Sequence, residues 1–139
     1  MKAVMDTNVL IAALRSRQGA SFEVFRRLRV GEWTAVLSNH LLFELEEVIK
    51  RDAAAFGLTL ADVDELLNAV CARGEAWPLP HGWEPLLSDP DDEPLVELAW
   101  ASGANRIVTH NTRDLWPATR LGIEVLKPRE FLAILRAAT

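Results

Sequence analysis

Lys2-Ala3-Val4-Met5-Asp6-Thr7-Asn8-Val9-Leu10-Ile11 runs from a short apolar segment straight into an aspartate, then through a hydroxyl residue and an asparagine into a second apolar segment. The first segment is too short for a helix, and the second has helical spacing. A buried parallel strand has this form when it delivers a carboxylate to the C-terminal edge of a sheet. Open α/β sheets bind their ligands at that edge, so Asp6 is the first candidate for chemistry. An Asp or Asn at such a junction also serves as a plain helix N-cap. The functional reading gains weight only if carboxylates from elsewhere in the chain converge on it.

Working outward, Asn8 to about Arg15 reads as a short helix. Ser21 opens a second, Phe22 to Val30, closed by Gly31; its Phe22, Phe25 and Leu28 face inward, and Arg26, Arg27 and Arg29 are assigned to a solvated face. Trp33 to Ser38 is a strand. Asn39 to about Asp52 is a helix capped by Ser38 or Asn39, with Leu41, Leu42, Leu45, Val48 and Ile49 on one arc. Glu44 and Glu46 sit at opposite rims of that arc and are geometrically comparable. After a break, Thr59 and Asp62 stand at capping-box spacing for a helix to about Arg73, whose inner face takes Val63, Leu66, Leu67, Val70 and Cys71.

Glu75 to Leu79 suits a short edge strand, where Pro78 is tolerated. Pro80 to Leu87 is loop. Asp89, Asp91, Asp92 and Glu93 crowd the start of a helix ending near Ser102, with Pro94 in its first turn. One or two such acids are accounted for by capping and the helix dipole. Four together repel one another unless a cation neutralises them, which favours a metal. Arg106 to Thr109 is a strand, His110 to Asp114 a polar loop, Ile123 to Leu126 a last strand, and Pro128 starts a helix to about Ala137. This alternation predicts one three-layer α/β/α domain over residues 1–139 with a mainly parallel sheet.

The totals set bounds. Half of the 139 residues are apolar and a quarter charged, as in ordinary globular chains. No apolar run approaches the roughly 20 residues of a membrane span, and no secretory signal is evident. The one cysteine, Cys71, excludes an internal disulfide, so a cytoplasmic location is expected. A net charge of −5 argues against a broad nucleic-acid coat but leaves room for a local basic face. His40, His81 and His110 are isolated and are assigned structural or surface roles; core or loop packing accounts for most of the five tryptophans.

Four polar clusters thus follow or flank core elements: Asp6/Asn8, Glu44, Asp89–Asp92 and Asn111/Asp114. Carboxylates without a Cys or His pattern suit a hard divalent ion, Mg²⁺ or Mn²⁺. Such an ion activates water and clamps the oxygens of a phosphodiester.

The segments Met5-Asp6-Thr7-Asn8-Val9-Leu10, Ser38 to Val48, Asp89-Pro90-Asp91-Asp92 and Val108 to Asp114 stand in the order seen in one family. In these the chain resembles PIN-domain ribonucleases, which include VapC-type toxins of toxin–antitoxin pairs. The resemblance implies a five-stranded parallel sheet flanked by helices, and metal-dependent cleavage of single-stranded RNA. Carried over by position, Asp6, Glu44 (rather than Glu46) and Asp92 are ligands of Mg²⁺ or Mn²⁺. Where the family has a fourth acid this chain has Asn111, with Asp114 three residues further on; either Asn111 through its carbonyl or Asp114 completes the site. Thr7 and Asn8 would orient ligands or hold a water, Arg113 would guide the RNA backbone, and Asp89 and Asp91 are secondary. A small antitoxin and a homodimer are the partners it implies.

Three other readings compete. A PIN scaffold that binds RNA or protein without cutting draws on Asn111. Asp6-Thr7-Asn8-Val9-Leu10 also approaches the motif of haloacid-dehalogenase-like phosphatases, but Asn8 replaces their second Asp. Lys127-Pro128 resembles a receiver domain, which needs paired acids after its first strand that are absent here.

Overall fold

The computed structural model describes residues 1–79 and 82–138, so the role assigned to His81 lies outside the described residues. The elements follow the order β1 (Lys2–Met5), α1 (Thr7–Arg15), α2 (Ala20–Arg29), β2 (Thr34–Leu37), α3 (Asn39–Asp52), α4 (Leu60–Ala72), β3 (Gly74–Ala76). They continue with α5 (Glu93–Ala101), β4 (Arg106–Val108), α6 (Thr112–Leu115), β5 (Glu124–Leu126) and α7 (Pro128–Ala137). The five strands form one sheet in the order β3-β2-β1-β4-β5, and every pairing is parallel. Helices flank the sheet in the three-layer α/β/α arrangement expected.

The strand order places a topological switch between β1 and β4: the chain leaves β1 towards β2 and β3, then returns past β1 to β4 and β5. Right-handed crossovers on either side of such a point send helices to opposite faces and leave a crevice at the strands' C-terminal ends. On one face α1 packs on α2 and α2 on α7; α5 contacts β1, β2 and β4. The inner strands β1, β2 and β4 are buried almost throughout, as two covered faces require. At the edge, Trp77 N–H still reaches Leu37 O at 2.8 Å; Pro78, without an N–H, cannot extend the ladder.

Several local expectations needed correction. Ser21 lies inside α2, whose N-cap is Gly19, and its hydroxyl is used elsewhere. Cys71 is exposed rather than packed: α4 sits at the sheet edge, and its fully buried residues are Val63 and Val70 only. Cys71, about 100° round the helix from Val70, faces out. The polar loop after β4 contains α6, followed by a 3-10 helix over Trp116–Leu121. Both are too short to leave a periodic signature. Trp33, by contrast, packs in the core as expected for most of the tryptophans: it is 2% exposed, edge-on to Phe131 and bonded to Val24 O.

Candidate active site

Strand register brings the first acid to its neighbours. Met5 pairs with Val108, and Asp6 N–H donates to Val108 O at 2.9 Å. Asp6 and Thr109 therefore leave the sheet side by side, with 102 residues between them in sequence. Asp6 occupies the N-cap position of α1 but makes no side-chain capping bond. Its Oδ2 instead accepts from the Thr109 hydroxyl at 2.8 Å. Thr109 Oγ1 in turn accepts from Asn8 Nδ2 at 3.3 Å and from the Asn111 N–H at 2.9 Å.

Asn8 completes the frame, its Oδ1 accepting from the His110 N–H at 3.2 Å. The His110 ring is held from the other side by Ser21 Oγ, 2.8 Å from Nε2. Asn111 Nδ2 donates to Asp114 Oδ2 at 3.0 Å, so the two candidates for a fourth ligand are bonded to each other. Thr109 Oγ1 thus takes part in three of these bonds.

Above this frame lies an open groove of about 720 Å³ lined by Asp6, Thr7, Asn8, Glu44, Asp92 and Asn111 among others. Each acid arrives from a different element: Asp6 from the end of β1, Glu44 from α3, Asp92 from the N-cap of α5. Packing separates the two rims of α3, because Glu46 pairs with Lys50 at 2.6 Å while Glu44 faces the groove. His110, Arg15 and Arg51 also line it, whereas Arg113 is exposed and not among the lining residues.

The acids of the Asp89–Glu93 run divide their work. Glu93 turns inward, 5% exposed, and its carboxylate accepts from Trp83 Nε1, Leu86 N–H and Leu87 N–H at 2.9, 2.6 and 2.9 Å. Asp89 Oδ1 accepts from the Asp91 N–H and shapes the turn. Asp92 alone of the four lines the groove.

Electrostatics tie the three groove acids together. Burial pushes the Asp6 carboxyl above the ordinary range, only partly opposed by the Thr109 hydroxyl. Burial and then the charge of Asp6 raise Glu44. Asp92 is raised to about 6 by burial, then by Asp89, Asp6, Asp114 and Asp91. Carboxylates that raise one another are poised for a cation. Thr7 Oγ1 is buried beside them without a hydrogen-bond partner. The donor set is all oxygen, which fits Mg²⁺ or Mn²⁺. Among the described residues no three His, Cys, Asp or Glu side chains form a ready-made ligand cluster; the acids surround the groove rather than close on one point.

The sequence pointed to Asp6, Glu44, Asp92, Asn111, Thr7 and Asn8, and all six line the groove. Asp114 joins through Asn111. Thr109, His110, Arg15 and Arg51 were not singled out for the site. Thr109 and His110 fall within the Val108–Asp114 segment, but only the β1–β4 register reveals what they bind.

Comparison with known proteins adds two findings. The family description "PIN domain" matches residues 2–113. A chain in the crystal structure of VapBC2 from Rickettsia felis, bound to a DNA fragment from their promoter, superposes with a TM-score of 0.59 at 16% identity, covering 91% of this chain and 98% of that one. At that identity the likeness speaks for the fold. No curated protein matches the chain in sequence.

Proposed function

The chain belongs to the PIN-domain family, and from that premise we propose that it is a Mg²⁺- or Mn²⁺-dependent endoribonuclease acting on single-stranded RNA. The observation that carries this reading is the meeting of Asp6, Glu44 and Asp92, from three separate elements, on one groove at the switch point of the sheet. PIN domains are generally nucleases, which supports hydrolysis of phosphodiesters.

In this reading Asp6, Glu44 and Asp92 hold the ion, and Asn111 or Asp114 completes its shell. When bound, the ion supplies Lewis-acid charge to the phosphodiester and activates water for attack. The chain's own contribution is orientation. The Thr109 hydroxyl fixes Asp6, and Asn8 fixes Thr109 and the turn at His110. Thr7, whose buried hydroxyl lacks a protein partner, holds a water or substrate oxygen. Arg15 and Arg51 at the groove take the backbone-guiding role that sequence position had suggested for Arg113.

A toxin role with a small antitoxin partner is supported by the fold shared with a chain of the VapBC2 structure. Phe43, one position before Glu44 on α3, is 70% exposed, and Trp116 is 58% exposed. Such apolar surface suits an antitoxin or a second copy of the chain. No described helix is long and apolar enough to cross a membrane.

A non-cutting PIN scaffold is the second reading, favoured by Asn111 in place of a fourth acid. The two are separated by incubating 5′-labelled single-stranded RNA with the protein in Mg²⁺, Mn²⁺ or EDTA. Internal cuts that require the metal are expected. Binding without cuts in either metal would favour the scaffold.

A further inference from the structure

Beside the acid groove lies a second pocket of about 350 Å³, lined by Ala12, Ser16, Ser21, His110, Lys127 and Arg129 together with small residues. We infer that this pocket is a phosphate subsite, holding a backbone phosphate of the RNA strand adjacent to the one cut in the groove. The inference rests on the nuclease reading and extends it by giving the substrate a path.

Three observations carry it. First, Ala12, Ser16 and His110 line both cavities, so a strand lying in the groove continues into the pocket. Second, the walls differ in charge. The groove carries Asp6, Glu44, Asp52 and Asp92 against Arg15 and Arg51, whereas the pocket carries Lys127 and Arg129 beside the shared His110, with no carboxylate. In a chain of net charge −5, such a wall concentrates positive potential where a phosphate would rest. Neither Lys127 nor Arg129 has a carboxylate in ion-pair range among the described residues. The nearby Glu130 is turned to the Lys127 backbone N–H at 2.9 Å, where it caps α7.

Third, the partition between the cavities is rigid. His110 is held by its main-chain N–H to Asn8 on the groove side and by its ring to Ser21 on the pocket side. Ser21 is 5% exposed, so the ring is clamped to the body of α2. The starts of α2 and α7 border the pocket and add the favourable end of each helix dipole. A strand threaded this way has one phosphate among the acids and its neighbour among the cations, which fixes both the scissile position and the direction of the chain.

The test uses the full chain in EDTA, where cleavage is off, with a fluorescent single-stranded RNA followed by anisotropy over a range of salt. Lys127→Ala/Arg129→Ala is expected to weaken binding about tenfold and to lower the log–log salt slope by about 0.7, the worth of the one phosphate held there. Arg120→Ala, an exposed cation outside the pocket, should leave both unchanged. The charge-preserving Lys127→Arg/Arg129→Lys should recover most of the affinity, which a merely misfolded variant would not. Inorganic phosphate should shift the amide resonances of Ser21 and His110 in the parent and not in the double Ala variant.

Parent-like affinity and slope in the double Ala variant would overturn the subsite while leaving metal-dependent cleavage, and so the nuclease reading, untouched. Failure of the parent to bind RNA while phosphate still shifts Ser21 and His110 would do the reverse. It would remove RNA as the pocket's ligand and count against the nuclease reading itself.

Discussion

The Thr109 hydroxyl donates to Asp6 Oδ2 at 2.8 Å across the seam between β4 and β1. Thr109 Oγ1 also accepts from Asn8 Nδ2 and from the Asn111 N–H, so one threonine sets the orientation of the first acid, of Asn8 and of the start of the β4–α6 turn. Groups that orient metal ligands typically contribute about 10–100-fold to ion affinity. Thr109→Val keeps a branched side chain in the core but loses all three bonds. Calorimetric titration with Mn²⁺ should show affinity lower by about that factor, with the far-UV circular dichroism unchanged. Unchanged affinity would mean Asp6 needs no such support.

Asp92 gives a pH dependence with a definite sign. Its carboxyl lies at about 6 in the folded chain, raised by burial and by Asp89 and Asp6; in an unfolded chain an aspartate titrates near about 3.9. The folded state thus holds this proton more tightly, and the stability it confers is full below pH ~4 and lost as pH rises through ~6. The raised carboxyls of Asp6 and Glu44 act in the same direction. Urea midpoints measured without divalent ions should fall across that window. Asp92→Asn should flatten the fall and be the more stable protein above pH 6. Mg²⁺ at about 100 times its dissociation constant should restore about 2.7 kcal/mol to the parent. An equal fall in parent and variant would show that repulsion among the acids is not its source.

Glu93 is the acid of the Asp89–Glu93 run given to architecture. Its carboxylate satisfies Trp83 Nε1 and the N–H groups of Leu86 and Leu87. Each buried donor left unpaired costs about 1–3 kcal/mol. Glu93→Ala should therefore destabilise the fold by roughly 3 kcal/mol in chemical denaturation, and Glu93→Gln by less because one oxygen acceptor remains. A loss below about 1 kcal/mol for the Ala variant would mean that water replaces the carboxylate without difficulty.

Patterns confined to one element could be read from the chain. The apolar run into Asp6, the arc of α3 and the Thr59/Asp62 capping box, both of whose bonds are present, are all local. Glu44 and Glu46 were equivalent by helix geometry; what parts them is a lysine one turn on that takes Glu46 and the groove wall that takes Glu44. Thr109 and His110 lie in the Val108–Asp114 segment, but their roles are not legible there because their partners, Asp6 and Asn8, are about a hundred positions away and only strand register brings them together. Glu93 read like its neighbours since direction at a helix start, inward or outward, is decided by the loop it holds. Cys71 was misjudged because an edge helix buries a narrower stripe than a central one.

We propose that Asp6, Glu44 and Asp92 act as one metal-dependent hydrolytic centre. The decisive experiment is single-turnover cleavage of a labelled single-stranded RNA in Mg²⁺, comparing the parent with Asp6→Asn, Asp92→Asn and Glu46→Gln. Cleavage should fall at least about 100-fold (about 2.7 kcal/mol of barrier) in the first two variants, stay near parental in Glu46→Gln, and vanish for all in EDTA. Cleavage by Asp6→Asn and Asp92→Asn at the parental rate would contradict the claim.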